Sequence, residues 1–200
     1  MVAQPPAAES QPGPAFGARL RAAREAAGIS LRELARRLDV TPSLLSQVER
    51  DLAQPSVGTL WAVVAELGIS LDALFGPDGG DPGHADPAPR TMVQRAGERT
   101  ALDLDGGVRW ERLTPIPDPG VVFALVTYPP GQEVGATRSV ARHRGTEYGY
   151  LISGRLAIEV GDEAFELGPG DSVVLASETP HRFRAVGTEP TCAVWWNLAR

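Results

Sequence analysis

Between residues 16 and 75 apolar side chains recur at helical spacing, whereas beyond residue 100 they come in short blocks separated by turn residues. Phe16, Leu20, Ala23 and Ala27 form one stripe of a first helix. Gly28 is a natural stop for it. Ser30-Leu-Arg-Glu33 has the form of a capping box, in which the hydroxyl and the carboxylate each satisfy a free backbone N–H. Leu31, Leu34, Ala35 and Leu38 follow as the inner face of a second helix. Thr41 is a good N-cap, and Pro42 at the first helical position gives up no needed hydrogen bond. Leu44, Leu45 and Val48 read as the buried face of a third helix. Ser56 opens a fourth, with Leu60, Val63, Val64 and Leu67 inward and Gly68 closing it. Residues 70–75 make a short fifth.

The later blocks read as strands: Val121–Tyr128, Tyr148–Ile152, Leu156–Val160, Ala164–Leu167, Ser172–Leu175, His181–Val186 and Cys192–Leu198. Gly and Pro punctuate them, as at Pro129-Pro130-Gly131 and Gly168-Pro169-Gly170-Asp171. Many short strands at even spacing predict an all-β sandwich or barrel. Residues 76–89, with four Gly, four Pro and three Asp, have almost nothing to bury and read as a flexible linker. Residues 1–14 read as a disordered tail, with neither the positive start nor the apolar core of a signal peptide. The expected organisation is therefore a helical domain at 15–75 and a β domain at 90–200.

Charge sharpens this division. The chain carries a net charge of −6. Residues 15–76 hold seven Arg and seven acids, so the whole negative excess lies outside the helical segment. No apolar run approaches the ~18 residues needed to span a bilayer. A lone cysteine, Cys192, cannot form an internal disulfide, which fits a reducing compartment and a cytoplasmic protein. In an apolar run it reads as a small buried hydrophobe.

The second and third helices meet at Asp39-Val40. Ala35 is small enough for close approach, and Asp39 tolerates the left-handed backbone that a tight turn requires. Ser43, Ser46, Gln47 and Arg50 face outward on the third helix. Gln can pair bidentately with adenine, and Ser can donate or accept. Thr41, the helix N-terminus and Arg50 suit phosphates. On these residues, the segment 20–75 resembles the Cro/C1 (XRE) family of helix-turn-helix domains, with residues 42–50 matching its recognition helix and following turn. The resemblance implies base contacts from Pro42, Ser43 and Gln47 and a backbone contact from Arg50. Pro42 cannot hydrogen-bond a base, and Asp51 stands where Gly is frequent.

The β segment resembles the cupins, small double-stranded β-helix (jelly-roll-like) barrels. Gly135, Ala141-Arg142-His143, Glu147 and Gly154 fit the spacing of the first cupin motif. Gly170 and His181 fit the second, with Ala176, Glu178 and Ala185 at its Pro, Gly and Asn. The resemblance implies metal ligands at His143, Glu147 and His181, with Ala141 in place of the fourth. Two His and one carboxylate can still hold zinc, iron or manganese. The other reading is a polar lining for a small-molecule effector. Its candidate residues are Arg138, His143, Glu147, Tyr148 and His181, with walls from among Tyr150, Phe183, Trp195 and Trp196. Arg142 and Arg182 are further candidates for holding a carboxylate.

The resulting expectation is a sequence-specific, double-stranded-DNA-binding regulator, acting as a homodimer, whose β domain senses an effector or dimerises. The alternatives are a metal-dependent cupin enzyme tethered to DNA, and a barrel that only dimerises. No catalytic residue is assigned, and no membrane partner is expected.

Overall fold

The computed structural model describes residues 16–75, 92–115, 118, 120–131, 133–134 and 145–198. The expected tail and linker lie outside these, as do Arg138, Ala141, Arg142 and His143.

Four helices of seven or more residues are followed by a single-turn fifth: α1 (Phe16–Ala26), α2 (Leu31–Arg37), α3 (Pro42–Glu49), α4 (Val57–Leu67) and α5 (Asp72–Phe75). Their starts follow from side-chain caps. Ser30, Thr41 and Ser56 each accept the backbone N–H three residues on, from Glu33, Leu44 and Thr59. The Glu33 carboxylate does not complete the expected reciprocal box; it takes Arg36 and Arg37 instead, at 2.7–2.9 Å. Two bidentate-capable cations one turn away outcompete a single N–H. Gly68 closes α4 at φ 63°, in the left-handed region.

Leu20, Leu34, Leu45, Leu60 and Leu74 meet in the helical core, each no more than 1% exposed. Two positions depart from the helical stripes. Leu44 is exposed, because the turn of α3 carries it past the contact with α1 and α2. Ala27 is exposed and Arg24 is buried in its place. The Arg24 guanidinium binds both Glu49 oxygens, at 2.5 and 2.9 Å, and the Ile29 carbonyl at 3.0 Å. This ion pair fastens α1 to the end of α3. At Gly17 a Cβ would stand 2.3 Å from the Val48 carbonyl oxygen, so only glycine allows these two helices so close.

The β domain consists of β1 (Ala101–Asp103), β2 (Arg109–Arg112), β3 (Val121–Tyr128), β4 (Glu133–Val134), β5 (Thr146–Ser153), β6 (Leu156–Val160), β7 (Glu163–Leu167), β8 (Ser172–Ala176), β9 (His181–Ala185) and β10 (Thr191–Leu198). They form two antiparallel sheets, β1-β2-β3-β10-β5-β8 and β4-β9-β6-β7. Among the described residues no pairing joins the sheets into a ring, so the expected closed barrel is here a pair of facing sheets. Period-two alternation sets their inner faces. Ala124, Val126 and Tyr128 of β3, Glu147, Gly149 and Leu151 of β5, Phe183 of β9 and Trp195 of β10 are buried. The sheets meet where Phe183 packs on Trp195, ring centroids 4.6 Å apart.

The two domains touch directly. Trp61 of α4 packs edge-on against Trp110 of β2, centroids 5.9 Å apart at 64°. The backbone N–H of Asp105 donates to the Pro55 carbonyl at 3.0 Å.

Candidate nucleic-acid interface and ligand cavity

The turn between α2 and α3 holds Asp39 at φ 53°, the left-handed conformation expected there. It directs α3 so that Leu45 and Val48 are buried while Thr41, Pro42, Ser43, Gln47 and Arg50 are exposed and Ser46 is half-buried. All six candidate DNA contacts therefore share one accessible side of the helix. Arg50 folds its Nε–H onto the Ser46 carbonyl at 3.1 Å, which leaves the rest of the guanidinium facing solvent. The Asp51 departure also has a structural cause. Its φ is 55°, and its carboxylate accepts the Gly17 N–H at 2.7 Å. A negative charge at the start of α1 is favourable there, so an acid in place of glycine ties the segment after α3 to α1.

On α2, Arg36 and Arg37 hold the Glu33 carboxyl down to about 2. Arg37 also reaches Glu66 of α4 at 2.7 Å, so α2 and α4 are linked as well as packed. These pairs are solvent-exposed and add little to stability. They do fix the orientation of two arginines at the end of α2.

In the β domain the structure brings together two of the expected residues. Glu147 and His181 are 4% and 6% exposed, and the His181 Nε2 lies 3.3 Å from a Glu147 oxygen. The His181 Nδ1 lies 2.8 Å from the Thr179 carbonyl. A carbonyl can only accept, so Nδ1 carries the proton and Nε2 is turned toward the carboxylate. In a neutral ring that nitrogen presents a lone pair on the side of the carboxylate, the form in which imidazole ligates a metal. A separation of roughly 3.0–3.4 Å is what two donors at 2.0–2.2 Å from one metal show, and a carbonyl behind a ligating histidine is the usual orienting partner. The pair therefore fits one edge of a metal site. Among the described residues no group of three potential ligands is present, and His143, the implied third, lies outside them.

Glu147 and His181 open onto an apolar cavity with Asn197, walled by Trp110, Tyr128, Phe183 and Trp195. Gly149 is what admits Trp195: a Cβ there would stand 2.7 Å from the indole ring. Burial pushes the Tyr128 phenol far above its ordinary pKa, so it stays a neutral hydroxyl. Two further lining residues, Val57 and Trp61, come from α4 of the helical domain.

Tyr148 is not part of this cavity. Alternation turns it to the outer face of the sheet, 46% exposed, in an open groove with Tyr150, Val174, Trp196 and Phe123. Of the wall candidates, Phe183 and Trp195 face in, while Tyr150 and Trp196 face out. Arg182 is exposed on the outer side of β9. Reading the sequence missed Trp61, Trp110, Tyr128 and Asn197. For Trp61 a signal was available: α4 is apolar nearly all round, which a helix buried on only one side does not need.

Comparison with known proteins agrees with this division. The Helix-turn-helix family model matches residues 20–74, and the Cupin domain model matches residues 124–197. The HTH-type transcriptional regulator PuuR of Escherichia coli (strain K12) is 26% identical over 176 residues, 87% of this chain and 89% of that protein. The HTH-type transcriptional regulator SutR of the same organism is 27% identical over 172 residues, 85% and 86% of the two chains. Among solved structures, an HTH_3 family transcriptional regulator from Vibrio cholerae aligns at TM-score 0.64 and 21% identity, covering 92% of this chain and 95% of that one. The fold thus recurs over both domains together. No helix among the described residues is long and apolar enough to cross a membrane.

Proposed function

Because the chain is an XRE-type helix-turn-helix protein with a C-terminal cupin domain, we propose that it is a sequence-specific DNA-binding transcriptional regulator with a β domain that senses a small molecule. The observation that carries the DNA-binding reading is the exposed row Thr41, Pro42, Ser43, Gln47 and Arg50 on a helix whose opposite side is locked by Leu45, Val48 and the Arg24–Glu49 pair. A helix presented in this way enters a major groove with its N-terminal residues on base edges. Ser43, Ser46 and Gln47 read bases, while Thr41 and Arg50 hold phosphates. Selection of bound duplexes from a random pool tests this: the wild type enriches one sequence, and the double variant Ser43→Ala/Gln47→Ala loses that enrichment.

The helical segment is electrically neutral overall, so attraction to phosphates is modest and a single copy binds weakly. Two copies, with their third helices about one turn apart, supply the missing affinity. The outer groove with Tyr148, Tyr150, Val174 and Trp196 is the proposed contact between copies. Its side chains are 46–61% exposed, and contiguous apolar surface of this kind marks an interface. Sedimentation equilibrium of Val174→Glu checks it: a monomer is expected where the wild type is a dimer.

The cavity with Glu147, His181 and Asn197 is the proposed effector site. Arg138 and His143 remain proposed participants from outside the described residues. His181 and Glu147, joined by His143, would hold a divalent metal, which when bound would supply a fixed positive charge to polarise an oxygen of the effector. The chain's own residues do the rest: Thr179 fixes the imidazole, and the aromatic walls exclude water. Metal analysis of the wild type against His181→Ala tests that part. No catalytic role is proposed, and the β domain is assigned to sensing and pairing.

A further inference from the structure

A cavity that is to admit an effector needs room, and this one has little. Its volume is about 20 Å³, close to the minimum for one water. Part of what closes it does not belong to the β domain. Val57 and Trp61 stand four residues apart on one side of α4, and both line the cavity. Trp61 is 7% exposed and its ring meets Trp110 edge-on. Two residues before α4, the Pro55 carbonyl accepts the Asp105 N–H, a second point of attachment between the domains.

The other side of α4 is committed to the helical domain. Leu60 and Val63 are at most 2% exposed in its core, and Glu66 binds Arg37 of α2. Helix α4 therefore cannot leave the β domain without carrying the recognition helix with it. A ligand larger than a water molecule cannot share the cavity with a seated Trp61. A ligand shifts a conformational equilibrium only by binding one state better than the other, and here exclusion by volume supplies that difference.

We propose that the Trp61 side chain is a tethered plug of the β-domain cavity, displaced by any effector that enters, so that effector occupancy and the docked position of the DNA-binding helices exclude one another. This rests on the reading of the β domain as an effector site and states how that site is regulated. It also specifies the ligand class. The effector replaces an indole against Trp110 and beside the aromatic walls, and it reaches Glu147, His181 and Asn197. It is a compact, largely apolar molecule of about indole size with one polar end. The plain alternative is that Trp61 only packs between two domains, in which case ligands and docking are independent.

Free indole is the probe, since it copies the displaced group. In full-length chain carrying Cys192→Ser, spin labels at Arg32→Cys and Glu163→Cys report the distance between domains, with labelled chain diluted into unlabelled chain. Truncation by Trp61→Ala removes the group that fills the cavity and frees room for a molecule of benzene to indole size, as apolar cavities of about 150 Å³ do for benzene. Indole is expected to bind Trp61→Ala at least tenfold more tightly than the wild type. Saturating indole is expected to move the wild type from one narrow distance to the broad distribution of Trp61→Ala. The proposal is overturned if indole binds both chains equally. It is overturned also if the wild type keeps its distance at indole concentrations a hundredfold above the Kd of Trp61→Ala. Should Trp61→Ala not fold, Trp61→Leu and Val57→Ala carry the same comparison with smaller differences. A metabolite that raises the wild-type Tm without changing the distance removes the plug and leaves the effector reading standing. Opening by indole, with no metabolite raising the Tm, leaves the plug and removes the effector reading.

Discussion

The two domains hold their candidate sites in opposite ways. In the helical domain the candidate side chains are exposed, and the structure beneath them only fixes their direction. In the β domain the candidate pair Glu147–His181 is buried, and the structure around it decides what can reach it. An exposed site is made by local sequence, one face of one helix. A buried site is made by strands far apart in the chain. This difference governs where each domain is fragile.

The largest effect is expected where the helical domain departs from its own pattern. Breaking a buried ion pair by removing one partner costs about 3–5 kcal/mol, and Arg24 and Glu49 have side chains only 9% and 4% exposed. Arg24→Ala should lower the Tm of the helical transition, followed by circular dichroism, and leave the near-ultraviolet signal of the β domain largely intact. An equal loss in both domains would show that they melt as one body and weaken the comparison. Next comes the β domain. Gly149→Ala places a methyl group 2.7 Å from the Trp195 ring, an overpacking worth about 1–3 kcal/mol. Its expected signs are a lower Tm and a shifted Trp emission, with DNA affinity measured on the folded protein changed less than tenfold.

The smallest effect concerns pH. Burial raises the Cys192 thiol above its ordinary 9.0. The unfolded thiol therefore ionises first as pH rises, the folded state then binds more protons, and stability falls. Between the two pKa values this loss should appear in the wild type and be absent from Cys192→Ser. Denaturant titrations from pH 8 to 10 check it, and parallel curves for the two chains would mean the thiol is not buried from solvent.

Much of the fold was legible because its signals are local. Val121–Tyr128 and Leu156–Val160 are strands with the predicted bounds, and Ser30, Thr41 and Ser56 cap the helices assigned to them. The outward face of α3 was legible for the same reason. Ala101–Asp103 and Arg109–Arg112 were not, since one is only three residues long and the other is mostly charged; they are strands because Arg109–Arg112 pairs along β3 and Ala101–Asp103 pairs along Arg109–Arg112. Burial of Arg24 was hidden because its partner is 25 residues away. Tyr148 was misplaced because adjacency to Glu147 in sequence means opposite faces in a strand. The part of Trp61 in the cavity depends on a contact between domains, which no single-segment pattern contains.

The proposed role of the exposed face of α3 is to read DNA sequence. Its most direct test is titration of wild type, Gln47→Ala and Arg50→Ala against the selected duplex and a random duplex of equal length. A lost bidentate base contact is worth about 1–3 kcal/mol. Gln47→Ala should therefore weaken binding roughly 5–150-fold on the selected duplex and leave the random one unchanged, while Arg50→Ala weakens both alike. Equal losses on both duplexes for Gln47→Ala, or no change on either, would contradict the account.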